Sequence, residues 1–296
     1  MNKGLLFALS AALISGVSIY INKFGVAQIS DPFVFTTLKN SVVALGFLAL
    51  IGLGAKRREL LGLSSRQKLG LIALGLIGGG IPFLLFFQGL ALTPAADTAI
   101  LQKTLFIWVA LLAVPFLGER LGPIQVLGLA ALTLGQYLLQ PPSVWAWTSG
   151  HTLILIATLM WAVETIVAKK VLLSATPALA ASSRMGIGAL VMWAFLFTTG
   201  RAANPLTLGP AQWFWVILTS GFLFIYITAW YCALALAPAT MVTSVLALGA
   251  VITAILSQGA GHQAAGLTQA AALILTIGGV AIYAGLPVHP QPAISP

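Results

Sequence analysis

Acidic side chains are nearly absent from this chain. Only five of 296 residues are Asp or Glu, and charged residues of both signs make up 6%. Soluble domains usually carry about 25%. With 59% hydrophobic residues, a water-soluble fold of this length has no way to hide its apolar surface. Cysteine is almost missing too. Cys232 stands alone, which excludes an intramolecular disulfide and a cysteine-based metal site. His151, His262 and His289 fall at the edges of apolar runs or in the tail, without metal-ligand spacing. No H-E-x-x-H, G-x-S-x-G or Walker A sequence occurs. An enzyme is therefore not expected, nor a cofactor or metal, nor an ATP-driven pump.

What is present is apolar runs of about 20 residues, the length of a membrane-spanning helix. Ten can be read, near 4–24, 33–54, 69–91, 96–117, 121–139, 151–171, 178–199, 211–236, 239–258 and 266–286. The fifth is short. The expected fold class is an all-α integral membrane protein. The ten runs leave no room for a soluble domain. Lys3 ahead of the first run imitates a signal peptide, but its length and its place in a repeat argue against cleavage. The tail 288–296 is proline-rich and expected to be disordered.

The net charge of +9 marks topology rather than a nucleic-acid partner. With the N-terminus in the cytoplasm, the inside holds Lys3, Lys56, Arg57, Arg58, Arg66, Lys68, Arg120, Lys169 and Lys170, and the outside only Lys23 and Arg201. That is the positive-inside bias. An even number of crossings returns the C-terminus to the cytoplasm. The bilayer is thus one partner, in an inner or plasma membrane.

The chain repeats itself. LFFQGLALTPA (85–95) matches AWYCALALAPA (229–239) at an offset of 144, and SAALISGVSIYINK (10–23) resembles ATLMWAVETIVAKK (157–170). Lys39 falls opposite Arg184. Each half, 1–140 and 150–287, holds five runs. Five is odd, so the second half enters the membrane inverted, as in secondary transporters that bind solute near the midplane.

With these residues the chain resembles the drug/metabolite transporter superfamily, EamA type. GLALTPAADTAILQKTLFIWVALLAVPFLGERLGPIQVLGLAALTLGQYLL (89–139), above all Leu117–Arg120, carries the resemblance, with ALALAPATMVTSVLALGAVITAILSQGAGHQ (233–263) as its counterpart. The resemblance implies two five-helix repeats. It also implies a central cavity lined by the spans carrying Ser18, Lys103, Glu164, Tyr226 and Thr243–Ser244, with spans five and ten peripheral. Two departures stand out. A proline common in span four near Phe106 is missing, and Gln263 stands where the first repeat has Glu119.

Intramembrane charge marks the candidate site. Lys103 lies about eight residues into span four, about 12 Å deep in a core about 30 Å thick. A charge there costs at least ~2.5–3.5 kcal/mol, so it should face a cavity, a partner, or the outer surface by snorkelling. Its match in the second repeat is Ala247. Glu164 is the only acid deep within a span. It sits in the stripe Ala157, Trp161, Glu164, Ala168, at helical spacing. It can neutralise Lys103, bind a substrate ammonium, or carry a proton. Its counterpart Ser18, with Ser15 and Asn22, forms a polar stripe on span one. Gln102, Tyr226, Trp230, Thr243 and Ser244 complete the candidate substrate-binding set. Lys39 and Arg184, nearer the interfaces, read as snorkelling residues or as substrate contacts. Glu119 reads as part of a turn, with Gly118 ending one helix and Pro123 opening the next. Gly78, Gly79, Gly80 and Pro82 read equally as a hinge or as a packing face. Gly278 and Gly279 read as packing residues.

A lysine and a glutamate near one depth suit a zwitterion. The sequence therefore suggests alternating-access transport of small polar metabolites, with amino-acid export as the first reading. An anionic-metabolite transporter is the nearest alternative. A non-transporting membrane interaction protein is a different class; it requires Lys103 and Glu164 to form a closed, dry pair. Whether the protein is a monomer or a homodimer is open.

Overall fold

The computed structural model describes all residues except 1, 30, 53–55, 140, 142–145, 203, 262–265 and 286–296. His262, Gln263, His289 and the expected tail disorder lie outside the described residues. The described residues contain no strand. The helices are α1 (Lys3–Gln28), α2 (Pro32–Gly52), α3 (Lys56–Gly62), α4 (Ser65–Leu74), a π-helical segment (Gly75–Gly80), α5 (Ile81–Ala91), α6 (Ala95–Lys103) and α7 (Leu105–Leu117). The first half ends with α8 (Pro123–Leu139), and the second half adds α9 (Ser149–Val171), α10 (Pro177–Thr198), α11 (Pro210–Leu236), α12 (Ala239–Leu246), α13 (Leu248–Gly261) and α14 (Leu267–Gly285).

Helix is the form expected of apolar chain in lipid, because each backbone N–H and C=O must find its partner within the segment. Proline opens α2, α8, α10 and α11, where its missing N–H costs nothing. Asn2 caps α1 through Gly4 N–H at 3.0 Å. Gly118 ends α7 at φ 69°, in the left-handed region. Its successor Glu119 then bonds back to Ala113 O at 3.2 Å.

Among the described residues, eight helical runs are long and apolar enough to cross a membrane, and α8 and α14 are shorter apolar helices. The chain is a multi-pass membrane protein. Its outer surface is apolar: Leu13, Leu45, Leu190 and Phe197 are among many large side chains left exposed, as suits a protein whose solvent is lipid. Packing runs in matched sets. The helix α1 lies on α11 and α9 on α5, while α2 meets α10 and α8 meets α14. Small residues permit these approaches. Gly16 faces Gly249 and Ile252, and Gly135 faces Thr276. Of the two expected packing glycines in α14, Gly279 abuts Gly128 and Leu132 of α8, whereas Gly278 faces open space.

Two helical breaks were not legible in sequence. Span four is interrupted at Thr104, between α6 and α7, and span nine at Ala247, between α12 and α13. Neither break uses proline. Thr104 Oγ1 donates to Leu101 O at 2.6 Å and accepts from Trp108 Nε1 at 2.9 Å. A side-chain hydroxyl thus replaces part of the backbone ladder. The two breaks fall at the matching repeat positions, just past Lys103 and at Ala247.

Candidate functional site

A cavity of about 230 Å³ lies in the centre of the bundle. The helices α1, α2, α5, α6, α7, α9, α10, α11 and α12 all contribute to its wall, and α8 and α14 do not. Nine of the ten substrate-binding candidates line it: Ser18, Asn22, Gln102, Lys103, Trp161, Glu164, Tyr226, Trp230 and Thr243. Ser244 does not. It is fully buried beside Thr243, since one step along a helix turns a side chain by about 100°.

Lys103 is the last residue of α6. The carbonyls at that helix end are the negative pole of its dipole, so the break offsets part of the cost of a cation. No acidic group meets it. Among the described residues the ion pairs are His151–Asp97 and Arg201–Asp31, each at 3.3 Å. The Lys103–Glu164 pair that sequence allowed is therefore not formed.

Glu164 is engaged elsewhere. Its Oε1 accepts from Tyr231 Oη at 2.6 Å, and Arg184 lies close enough to feel both groups. Sequence reading missed Tyr231. It is adjacent to Trp230 but projects from a different side of α11. Arg184 also corrects an expectation. It is not a snorkelling residue: it is 7% exposed, lines the cavity and donates from Nε to Gly78 O at 3.3 Å. Lys39 lines the cavity as well. Its Nζ reaches Asn22 Oδ1 at 3.4 Å, and Asn22 Nδ2 donates to Ser18 Oγ at 3.1 Å. The signal was available in the repeat, where Lys39 and Arg184 occupy equivalent positions. Depth counted from a helix end did not show it, because depth says nothing of which way a side chain faces.

The glycine run supports this wall. In a π-helical turn the carbonyls are freed from the usual ladder. Gly78 O accepts from both Trp161 Nε1 at 3.2 Å and Arg184 Nε at 3.3 Å. A side chain at Gly78 would run into Glu164, and one at Gly79 into the Arg184 carbonyl. Gly80 faces Val191, and Pro82 is buried at the start of α5. The glycines are in close packing here.

Trp230 adds an unused donor. Its Nε1 is buried and without a hydrogen-bond partner, although the residue lines the cavity. Such a group normally costs about 1–3 kcal/mol, which a bound acceptor would remove. Among the described residues no three His, Cys, Asp or Glu come together as a metal site.

Glu119 proves to be more than a turn residue. It is 7% exposed and caps the start of α12. Ala239 N and Thr240 N donate to its carboxylate at 2.6 and 3.1 Å, and Thr240 Oγ1 at 2.6 Å. Lys169 Nζ serves the other side of this junction, donating to Leu234 O and Ala237 O at 2.7 and 2.9 Å. An anion at a helix start and a cation at a helix end both suit the dipoles. Hydrogen bonds to charged groups contribute ≈ 1.5–3 kcal/mol each. Glu119→Ala is expected to destabilise the protein by about 3 kcal/mol or more, read as a lowered melting temperature in detergent. An unchanged melting temperature would remove the cap from the account.

Comparisons with known proteins follow the same lines. A family model described as the EamA-like transporter family matches residues 2–140 and again 148–285. A curated relative from Sinorhizobium sp, named "Uncharacterized transporter in cobO 3'region", is 36% identical over 137 residues, covering 45% of this chain and 93% of the relative. A solved structure described as "Crystal structure of protein" superposes with a TM-score of 0.78 at 18% identity, covering 96% of this chain and 98% of that one. At that identity the likeness concerns fold alone.

Proposed function

The chain belongs to the EamA-like transporter family, a membrane transporter, and we propose that it works as a secondary transporter of small metabolites bearing a carboxylate or similar anionic group. The observation that carries this reading is Lys103: a cation at a helix break, facing an internal cavity, with no acidic partner. Lys39 and Arg184 share that cavity, against a single carboxylate, Glu164. Three cations and one anion suit a solute that brings negative charge.

The transport cycle is alternating access between two inverted five-helix halves, at residues 1–140 and 150–287, with ten crossings and both termini in the cytoplasm of an inner or plasma membrane. The matched packing of α1 on α11 and α9 on α5, and the paired breaks at Thr104 and Ala247, support that arrangement. A dry Lys103–Glu164 pair, as a non-transporting scaffold would need, is at odds with the open cavity.

The amino-acid reading keeps one observation in its favour. Glu164 lies in the same wall as Lys103, beside the aromatic rings of Tyr226 and Trp230, which stack at 6.3 Å. An amino acid would have to draw Glu164 away from Tyr231 to satisfy its ammonium. Counterflow in proteoliposomes, with a panel of organic acids and amino acids read by mass spectrometry, separates the readings. Exchange of organic acids in preference to amino acids is the expected result. Exchange of amino acids alone, sensitive to Glu164→Gln, would replace it with the zwitterion reading.

A further inference from the structure

A second concavity lies on the outside of the bundle, between α2, α4 and α10. At about 710 Å³ it is larger than the central cavity. Its walls are apolar, with Leu48, Ile72 and Ile187 along the groove and Leu45 and Leu190 as exposed rims. One end is closed where Trp193 Nε1 donates to Ser41 Oγ at 2.9 Å. At the other end are Leu60, Lys68 and Leu179.

Its length matches one leaflet. From Ser41 to Ile51 along α2 is about 15 Å, and from Leu179 to Trp193 along α10 about 21 Å, at 1.5 Å per residue. Half of a hydrocarbon core of about 30 Å is about 15 Å. The groove therefore runs from the basic end of the molecule to about the midplane.

Its mouth is cationic. Lys68 is part of the lining, and Arg58 and Arg66 are exposed on the adjoining turns of α3 and α4. The only acid nearby, Glu59, is occupied: Thr176 N–H and Oγ1 donate to it at 2.6 and 3.1 Å. This contact also ties α3 to the start of α10 and shapes the mouth. Neither ion pair among the described residues involves Lys68, Arg58 or Arg66.

We propose that this groove is a binding site for an anionic phospholipid of the basic-side leaflet, with an acyl chain along α2 and α10 and the phosphate at Lys68. The apolar walls alone would accept any lipid. The unpartnered cations select a net negative headgroup, because a zwitterionic one carries its own counter-charge to the mouth. The site is separate from the central cavity and does not depend on which solute is transported.

The test is native mass spectrometry of the full-length protein, titrated with phosphatidylglycerol or phosphatidylcholine of identical chains. Each basic residue near an anionic surface contributes about a fivefold preference. The native protein should prefer phosphatidylglycerol about fivefold or more, and Lys68→Gln should lower that preference about fivefold. Gly186 lines the groove and a Cβ there meets nothing within 4 Å. Gly186→Leu should therefore fill the groove and displace lipid of both kinds, with the melting temperature in detergent retained. Equal binding of the two lipids by the native protein would overturn the proposal. So would phosphatidylglycerol binding unchanged in both variants. Disulfide trapping of a dimer through Leu45→Cys and Leu190→Cys in lipid would show a second copy in the groove, and would overturn it as well.

Discussion

Lys103→Ala is expected to reduce counterflow of the preferred anion about 30-fold or more, with the protein still folded. The magnitude follows from the cost of removing one partner of a desolvated, hydrogen-bonded charge pair, about 2–5 kcal/mol, each 1.4 kcal/mol being tenfold. Folding should survive, since Lys103 makes no ion pair in the structure, and its removal takes an uncompensated charge out of the bundle. Lys103→Arg should retain part of the activity, because it keeps the charge while changing its shape. The check is initial exchange rate in proteoliposomes matched for protein content, beside the melting temperature of the same preparations. Full activity in Lys103→Ala would assign the lysine a structural role and shift the site toward Lys39 and Arg184.

Gly79→Ala should strongly destabilise the fold. A Cβ at Gly79 would be driven into the backbone carbonyl of Arg184, with the Cα of Gly188, one turn further along α10, beside it at 3.1 Å. A side chain can rotate away from such a clash, but a helix carbonyl cannot. Overpacking typically costs about 1–3 kcal/mol, and the rigid backbone of α10 places this case at the upper end. The same substitution would also move Arg184, whose Nε bonds Gly78 O, and so disturb the cavity wall. Gly221 is the control, since a Cβ there meets nothing within 4 Å. Gly221→Ala, within α11, should leave stability unchanged or slightly higher. Thermal unfolding in detergent measures both. A Gly79→Ala protein that unfolds early confirms close packing. One that keeps its melting temperature but loses exchange would instead make the segment a hinge.

The candidate residues were legible to different degrees. Lys103 and Glu164 stood out because a charge in a long apolar run has few bland explanations. Ser18, Asn22 and Trp161 followed from stripes and repeat positions and Thr243 from the family resemblance, and they meet at the cavity. Depth left Lys39 and Arg184 between snorkelling and substrate contact, although their equivalence in the repeat pointed inward. Glu119 looked like one part of a turn because its partners, Ala239 and Thr240, are 120 and 121 residues further on. The break after Lys103 left no trace in composition, since the Thr104 hydroxyl rather than a proline or glycine accommodates it.

The sequence by itself determined that this is a helical membrane protein, where its apolar runs lie and which charges sit at membrane depth. Those properties are local: each apolar run answers to the same lipid solvent, and a helix satisfies its own backbone. Only the tertiary structure decided which charges face one another. It set Glu164 on Tyr231 rather than Lys103, turned Arg184 inward, and left Lys103 open to the cavity. The direction of a side chain in a bundle depends on the rotation of its helix, and that rotation is set by packing against segments more than a hundred residues away.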